Sequence, residues 1–192
     1  MNESNEMDKT NPSSDNSDDR LELENILRKI PVFQKLKKEN IDLIAESSKI
    51  LNYKMGWPLY HSNDIQNNVI IILKGEARLL AKFDNKLITV AKLGIGSVVG
   101  IASLLRTSSC EQINASDELQ ALIIPNEIII KLYESEKEFN SWCNNTLHPS
   151  EVLDLTTIIA NCSPRSDINL RATFNLLIKS SKLEDYQNME FI

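Results

Sequence analysis

NVIIILKGEARLLAKF, residues 68–83, is two β-branched or leucine-rich segments broken at Lys-Gly, and reads as strand, turn, strand. The same texture continues on either side. KILNYKM (49–55), KLITVAKL (86–93) and ELQALII (118–124) are segments of the same kind, interrupted by GW, SND, KG, DN and GIG. Between Lys49 and Pro125 the chain therefore predicts a compact antiparallel barrel or roll.

Helical spacing brackets this region. Apolar positions 23, 26, 27 and 30 recur at helical intervals until Pro31, and a second helix over about 38–47 carries Ile41, Ile44 and Ala45 on one side. Pro125 suits a first helical position, and Ile128, Ile129, Leu132, Tyr133 and Phe139 then line a helix face that closes the barrel end. Past Trp142 the sequence turns polar at NNTLHPS. Two further amphipathic helices follow, about 150–160 and about 167–180, the second with Leu170, Phe174, Leu177 and Ile178. Residues 1–20, rich in Asn, Ser and Asp, contain only Met as a large apolar residue and are expected to be disordered. The expected organisation is a disordered acidic tail (1–20), a folded domain (21–145) and a small helical appendage (146–192).

Charge narrows the function. The net charge is −6 over 192 residues, with no basic cluster, so the electrostatic footprint of a nucleic-acid binder is missing. Direct nucleic-acid binding is not expected. No apolar run approaches the ~20 residues needed to span a bilayer, and the polar, acidic start has neither the pattern of a secretory signal nor that of a transit peptide. A cytoplasmic protein without membrane insertion is the expectation. Cys110, Cys143 and Cys162 show no CxxC spacing, and an odd count argues against a disulfide framework.

The order of elements and their glycines resembles the cyclic nucleotide-binding domain shared by catabolite activator proteins, regulatory subunits of cyclic AMP-dependent kinase and gated channels. The likeness runs from about residue 24 to 143. IPVFQKLKKENIDLIAE (30–46) is similar to the family's opening turn and short helix. GWPLYHSND (56–64) resembles its glycine, strand and Asp turn, with Asn63 where glycine is usual, a residue that tolerates a left-handed backbone. NVIIILKGEARLL (68–80) matches the Gly-Glu turn at Gly75 and Glu76, LGIGSVVGIASLL (93–105) the approach to the phosphate-binding cassette, and ASDELQALIIPNEIIIKLYE (115–134) the final strand and following helix. The resemblance implies an α+β fold, a double-stranded β-helix or jelly roll flanked by helices, with the C-terminal helical segment added.

It also implies a candidate ligand cassette: Gly100, Ile101, Ala102, Ser103, Arg106, Ser109 and Cys110. The family places a carboxylate after the cassette glycine for a ribose hydroxyl, and an arginine across the loop for the phosphate. Here the carboxylate position is Ile101, and the arginine position falls on Ser109, or on Cys110 with a one-residue shift. Charge-assisted hydrogen bonds contribute roughly 1.5–3 kcal/mol each, so losing two lowers affinity by a factor of roughly 10² to 10⁴. Arg106 and the amides at 101–103 are the candidate substitutes.

Other chemistry finds little support. His61 and His148 are the only histidines, about ninety residues apart in different modules, so no metal site is expected; His148 before Pro149 marks a helix start. GxSxG, Walker-type, HExxH and Cys-His patterns are missing, so no enzyme is expected. Residues 146–192 hold only four bases, too few for the helix-turn-helix that the family's transcription factors add. Trp57 and Trp142 read as packing anchors. The expectation is a non-catalytic regulatory or docking module without a cofactor, no longer binding cAMP or cGMP in the usual way, and acting through a protein partner such as a transporter. The module resembles N-terminal regulatory domains of some ABC exporters. The alternative is a cyclic nucleotide sensor using Arg106 and the cassette amides.

Overall fold

The computed structural model describes residues 17–61, 66–83, 86–106, 112–162 and 168–181, with the side chains of 17–20 and 106 outside that description. Three helices come first: α1 (Ser17–Lys29), α2 (Pro31–Gln34) and α3 (Lys38–Ser47). Then β1 (Lys49–Tyr53), β2 (Pro58–Tyr60), β3 (Asn68–Lys74), β4 (Ala77–Phe83), β5 (Lys86–Leu93) and β6 (Val98–Val99) lead to α4 (Ile101–Arg106). β7 (Gln112–Ala115), β8 (Leu119–Pro125), α5 (Asn126–Ser135), α6 (Lys137–Asn145), α7 (Pro149–Cys162) and α8 (Leu170–Ser180) complete the chain. The strands form two four-stranded antiparallel sheets, β1-β8-β3-β6 and β2-β7-β4-β5, so the expected α+β roll flanked by helices is the observed fold.

β3 shows how one strand serves two cores. Side chains alternate across a strand, so its aliphatic run divides by parity. Ile70 and Ile72 enter an inner cluster inside the roll, whereas Val69, Ile71 and Leu73 enter an outer cluster with Leu27, Phe33, Ile41, Ile129, Leu132 and Phe139 of the helices. β8 divides likewise, with Leu119 and Ala121 inside and Leu122 and Ile124 outside. A strand covered on both faces needs an unbroken apolar run, and 69–73 supplies one.

The Gly-Glu turn is held by its surroundings. Gly75 has φ +81°, and a Cβ there would sit 2.5 Å from the Glu118 carbonyl oxygen, so only glycine fits. The Glu76 N–H donates to Asp117 Oδ1 at 2.9 Å, and its carboxylate pairs with Lys92 at 2.8 Å.

Several boundaries differ from expectation. α1 begins at Ser17, so the last residues of the stretch expected to be disordered are helical, while residues 1–16 lie outside the described residues. Once Leu23 and Leu27 are packed, extending the helix outward adds a hydrogen bond for each residue fixed. Pro125 ends β8, opposite Asn68, and precedes α5 instead of opening it. The helix expected through Phe139 is two, α5 and α6, parted at Glu136. There the backbone is extended, the carboxylate accepts from Asn40 Nδ2 at 2.7 Å, and Lys37 Nζ approaches to 3.4 Å.

α7 and α8 lie on the roll. Val152, Leu153, Ala160, Leu170 and Phe174 belong to the same inner cluster as Ala77, Leu79, Val90 and Leu93 of the strands. α7 packs against α4 and β4, and α8 against β5.

Candidate functional site

The cassette begins at a turn. Gly96 has φ +82°, its N–H donates to Ile72 O at 2.8 Å, and the Ser97 N–H returns to Gly94 O at 3.1 Å. β6 then pairs with β3, Val98 opposite Ile71 and Val99 opposite Ile70. At Gly100 the chain swings through φ +96°, and α4 opens with the Leu104 N–H donating to Gly100 O at 3.0 Å. The expected strand end, glycine turn and short helix are all present.

What requires the glycine is visible below it. A Cβ on Gly100 would lie 2.5 Å from the Tyr60 hydroxyl oxygen and 3.3 Å from Asn68 O. Tyr60 is fully buried on β2; its O–H donates to Asn68 O at 2.6 Å, and its oxygen lies 3.4 Å from Val99 O. Both torsion and packing therefore select glycine here, without reference to a ligand. Tyr60 was not singled out from sequence, because Gly100, against which its hydroxyl packs, stands forty residues away.

The residues after Gly100 turn away from solvent. Ile101 is 1% exposed and packs in the outer cluster with the helices, and Ala102 is 1% exposed as well. Ser103 is half-buried and carries the one polar side chain between Gly100 and Leu105. The Arg106 backbone closes α4, while its side chain, together with Ser109 and Cys110, lies outside the described residues. Asn63 also lies outside them.

The surroundings of the cassette are apolar. Among the described residues the buried polar side chains are His148, Ser150 and Thr156, so none is a carboxylate, a lysine or an arginine. Thr156 Oγ1 donates within its own helix, to Val152 O at 2.6 Å. Burial raises the pKa of Tyr53, on β1 in the inner cluster, by desolvating its charged form.

The remaining candidates are scattered. His61 is exposed after β2, and His148 is buried just before α7, where its backbone N–H donates to Glu151 Oε2 at 2.9 Å. Among the described residues no three His, Cys, Asp or Glu side chains gather as a metal set. Cys143 is buried in the outer cluster and Cys162 is exposed at the end of α7. Trp142 continues an aromatic ladder, 6.2 Å from Phe139 and 5.4 Å from the His148 ring, and Lys54 Nζ sits 5.5 Å from the Trp57 ring centroid. A cleft of about 280 Å³ lies at the seam of the two clusters, lined by Pro31, Leu93, Ser97, Trp142, Thr146 and His148 among others. No helix among the described residues is long and apolar enough to cross a membrane.

Residues 50–136 match the family model described as cyclic nucleotide-binding domain. No curated protein sequence matches the chain. Among solved structures, a cyclic nucleotide-binding-like protein from Brucella abortus is 20% identical, with a TM-score of 0.50, over 59% of this chain and 99% of that one. The regulatory domain of Toxoplasma gondii PKA, solved with cAMP, is 14% identical with a TM-score of 0.59, over 78% and 56%. A catabolite activator protein from Thermus thermophilus is 20% identical with a TM-score of 0.51, over 68% and 59%. At these identities the likeness is one of fold.

Proposed function

We propose that the chain, of which residues 50–136 match the cyclic nucleotide-binding domain model, is a non-catalytic regulatory or docking domain of that family that no longer takes cAMP or cGMP in the usual way. One observation carries this reading. The position after the cassette glycine, where a ribose hydroxyl needs an acceptor, is Ile101, and it is 1% exposed inside the apolar outer cluster. A buried aliphatic side chain offers the sugar no hydrogen bond, and replacing a carboxylate there forfeits a charge-assisted contact. The inner faces of α7 and α8, packed into one cluster with the strands, support the same conclusion from the other side of the roll.

A domain that keeps the fold without the usual ligand acts through protein contacts. The partner class is a transporter, by analogy with N-terminal regulatory domains of ABC exporters. The alternative reading, a sensor using Arg106 and the cassette amides, rests on the α4 backbone that starts directly after Gly100. The relatives solved with cAMP make that ligand the one to test first.

Thermal shift and calorimetry with cyclic AMP, cyclic GMP and a cyclic dinucleotide, on the wild type and on Arg106→Ala, separate the two. A ligand at 100 times its dissociation constant adds about 2.7 kcal/mol of stability. The proposed function predicts no saturable effect up to millimolar ligand. Saturable micromolar binding lost in Arg106→Ala would instead establish the sensor.

A further inference from the structure

α7 is apolar on two faces. Val152, Leu153, Thr156 and Ala160 are buried against the roll, while Leu155 (43% exposed), Ile158 (59%), half-buried Ile159 and exposed Cys162 recur at i, i+3, i+4 and i+7 on the other side. Leu176, on the adjoining α8, is 66% exposed. A helix that is apolar all round belongs in an interior, and a contiguous exposed stripe of this kind marks a contact surface. The sequence supplies a cover directly after α8. Residues 182–192, KLEDYQNMEFI, lie outside the described residues and hold Leu183, Tyr186, Met189, Phe191 and Ile192. We propose that this segment of the same chain packs along the outer face of α7 and α8 and covers the stripe. Any protein partner for that face then has to displace it, a consequence that rests on the docking reading, whereas the contact itself does not.

The segment starts at the right end and is long enough. α7 and α8 pack together and are joined by residues 163–169, a short connection that makes neighbouring helices antiparallel, so the end of α8 stands beside the start of α7. From Ser181 the chain has only to turn back to pass Leu155, Ile158 and Cys162 in that order. α7 has 14 residues. At about 1.5 Å per residue it is roughly 21 Å long, while eleven extended residues reach about 36 Å, which leaves length for the turn. So short a tether also holds the segment at an effective concentration on the order of millimolar, which a second molecule in dilute solution does not match.

Charge agrees with the same path. α8, LRATFNLLIKS, contains no acid and carries exposed Arg171 and Lys179 on either side of Leu176. The segment is the reverse, with Glu184, Asp185 and Glu190 against Lys182 alone. On the way back along the helices Glu184 and Asp185 come first, at the Lys179 end, and Glu190 comes last, at the Arg171 end. The two bases stand about 12 Å apart at about 1.5 Å per helical residue, within the span of the five or six segment residues between those acids. Exposed pairs of this kind add little strength each, so they set the direction of the segment while the apolar side chains hold it.

Oxidative cross-linking of the full chain, in a Cys110→Ser background, tests this. Cys162 is exposed at the far end of the stripe and Cys143 is buried, so Ile192→Cys should close a disulfide with Cys162 within one chain. Ile158→Glu should slow that closure about tenfold, because it removes an apolar contact, whereas a segment that is tethered but undocked would meet Cys162 at the same rate in both. Arg171→Glu should slow it about threefold, the scale of an exposed ion pair, and Glu190→Lys added to it should restore the rate. Removing residues 182–192 should lower the melting temperature by about 2–4 °C, as a small lost contact does in a chain of this size, and Ile158→Glu should then cost nothing further. Equal closure rates with and without Ile158→Glu, disulfides that link two chains instead of closing within one, or a melting temperature untouched by the deletion would each overturn the proposal.

Discussion

Val99 and Ile101 are neighbours across one glycine, yet they belong to different cores. Val99 lies in the inner cluster, which runs from the roll interior into α7 and α8, and Ile101 in the outer cluster beneath the remaining helices. The inner cluster holds the small strand residues Ala77, Ala81, Ala115 and Ala121 together with Tyr60, Ile70, Ile72 and Leu79 of the strands and Phe174 and Leu153 of the helices. The outer cluster sets large aliphatic residues against Phe33 and Phe139. Protein interiors are close-packed, so small strand side chains require large partners. On the inner side α7 and α8 add Leu153, Leu170 and Phe174 to the large strand residues, so this helical pair is part of the packing of the roll interior.

The strongest way to break that contrast is to charge its boundary. Ile101→Glu puts a carboxylate where the family would have one, at a position 1% exposed among apolar side chains. A cost of about 4 kcal/mol or more at pH 7 is expected in urea denaturation, from the lost packing and the buried charge. Burial raises the pKa of such a carboxyl, so the folded state favours its protonated form, and stability should return in part as pH falls toward 5. Full stability at pH 7 would place position 101 in reach of solvent. On the inner side, Phe174→Ala should cost about 3–5 kcal/mol, within the same transition that unfolds the strands. A loss under about 1 kcal/mol would separate α8 from the inner core.

Gly100→Ala should cost about 2–3 kcal/mol, combining a positive φ with the approach to Tyr60. Tyr60→Phe should recover part of that loss in the double variant, and strict additivity would remove the hydroxyl as the cause. The smallest effect concerns Tyr53, whose folded pKa is raised above its ordinary value of 10.0. The unfolded chain then ionises first, so the stability this residue contributes is complete below pH 10.0 and is lost as pH rises through the folded pKa. Tyr53→Phe should flatten the decline in melting temperature above pH 10.0, and an unchanged decline would assign it to other groups.

Much of the frame was legible in the sequence. The helix read at about 38–47 is Lys38–Ser47, and the β3–β4 pair and β5 fall on the quoted segments. β2, β6 and β7 have three, two and four residues, too short for any period to register, and their existence depends on pairing with distant strands. The cassette was legible as backbone, through Gly100, but its neighbour Tyr60 was not. The amphipathic faces of α7 and α8 were legible too, yet what they cover is fixed only by tertiary packing.

Native-state hydrogen exchange tests the closure of the roll by α7 and α8 most directly, because a roll closed by its own helices must open as a unit. The amides of α7 and α8 around Thr156 and Phe174 are expected to exchange with β4 and β5, at the free energy of global unfolding. Exchange from α7 and α8 that is much faster than from those strands would contradict it, since the interior would then be open to a ligand whenever the helices lift.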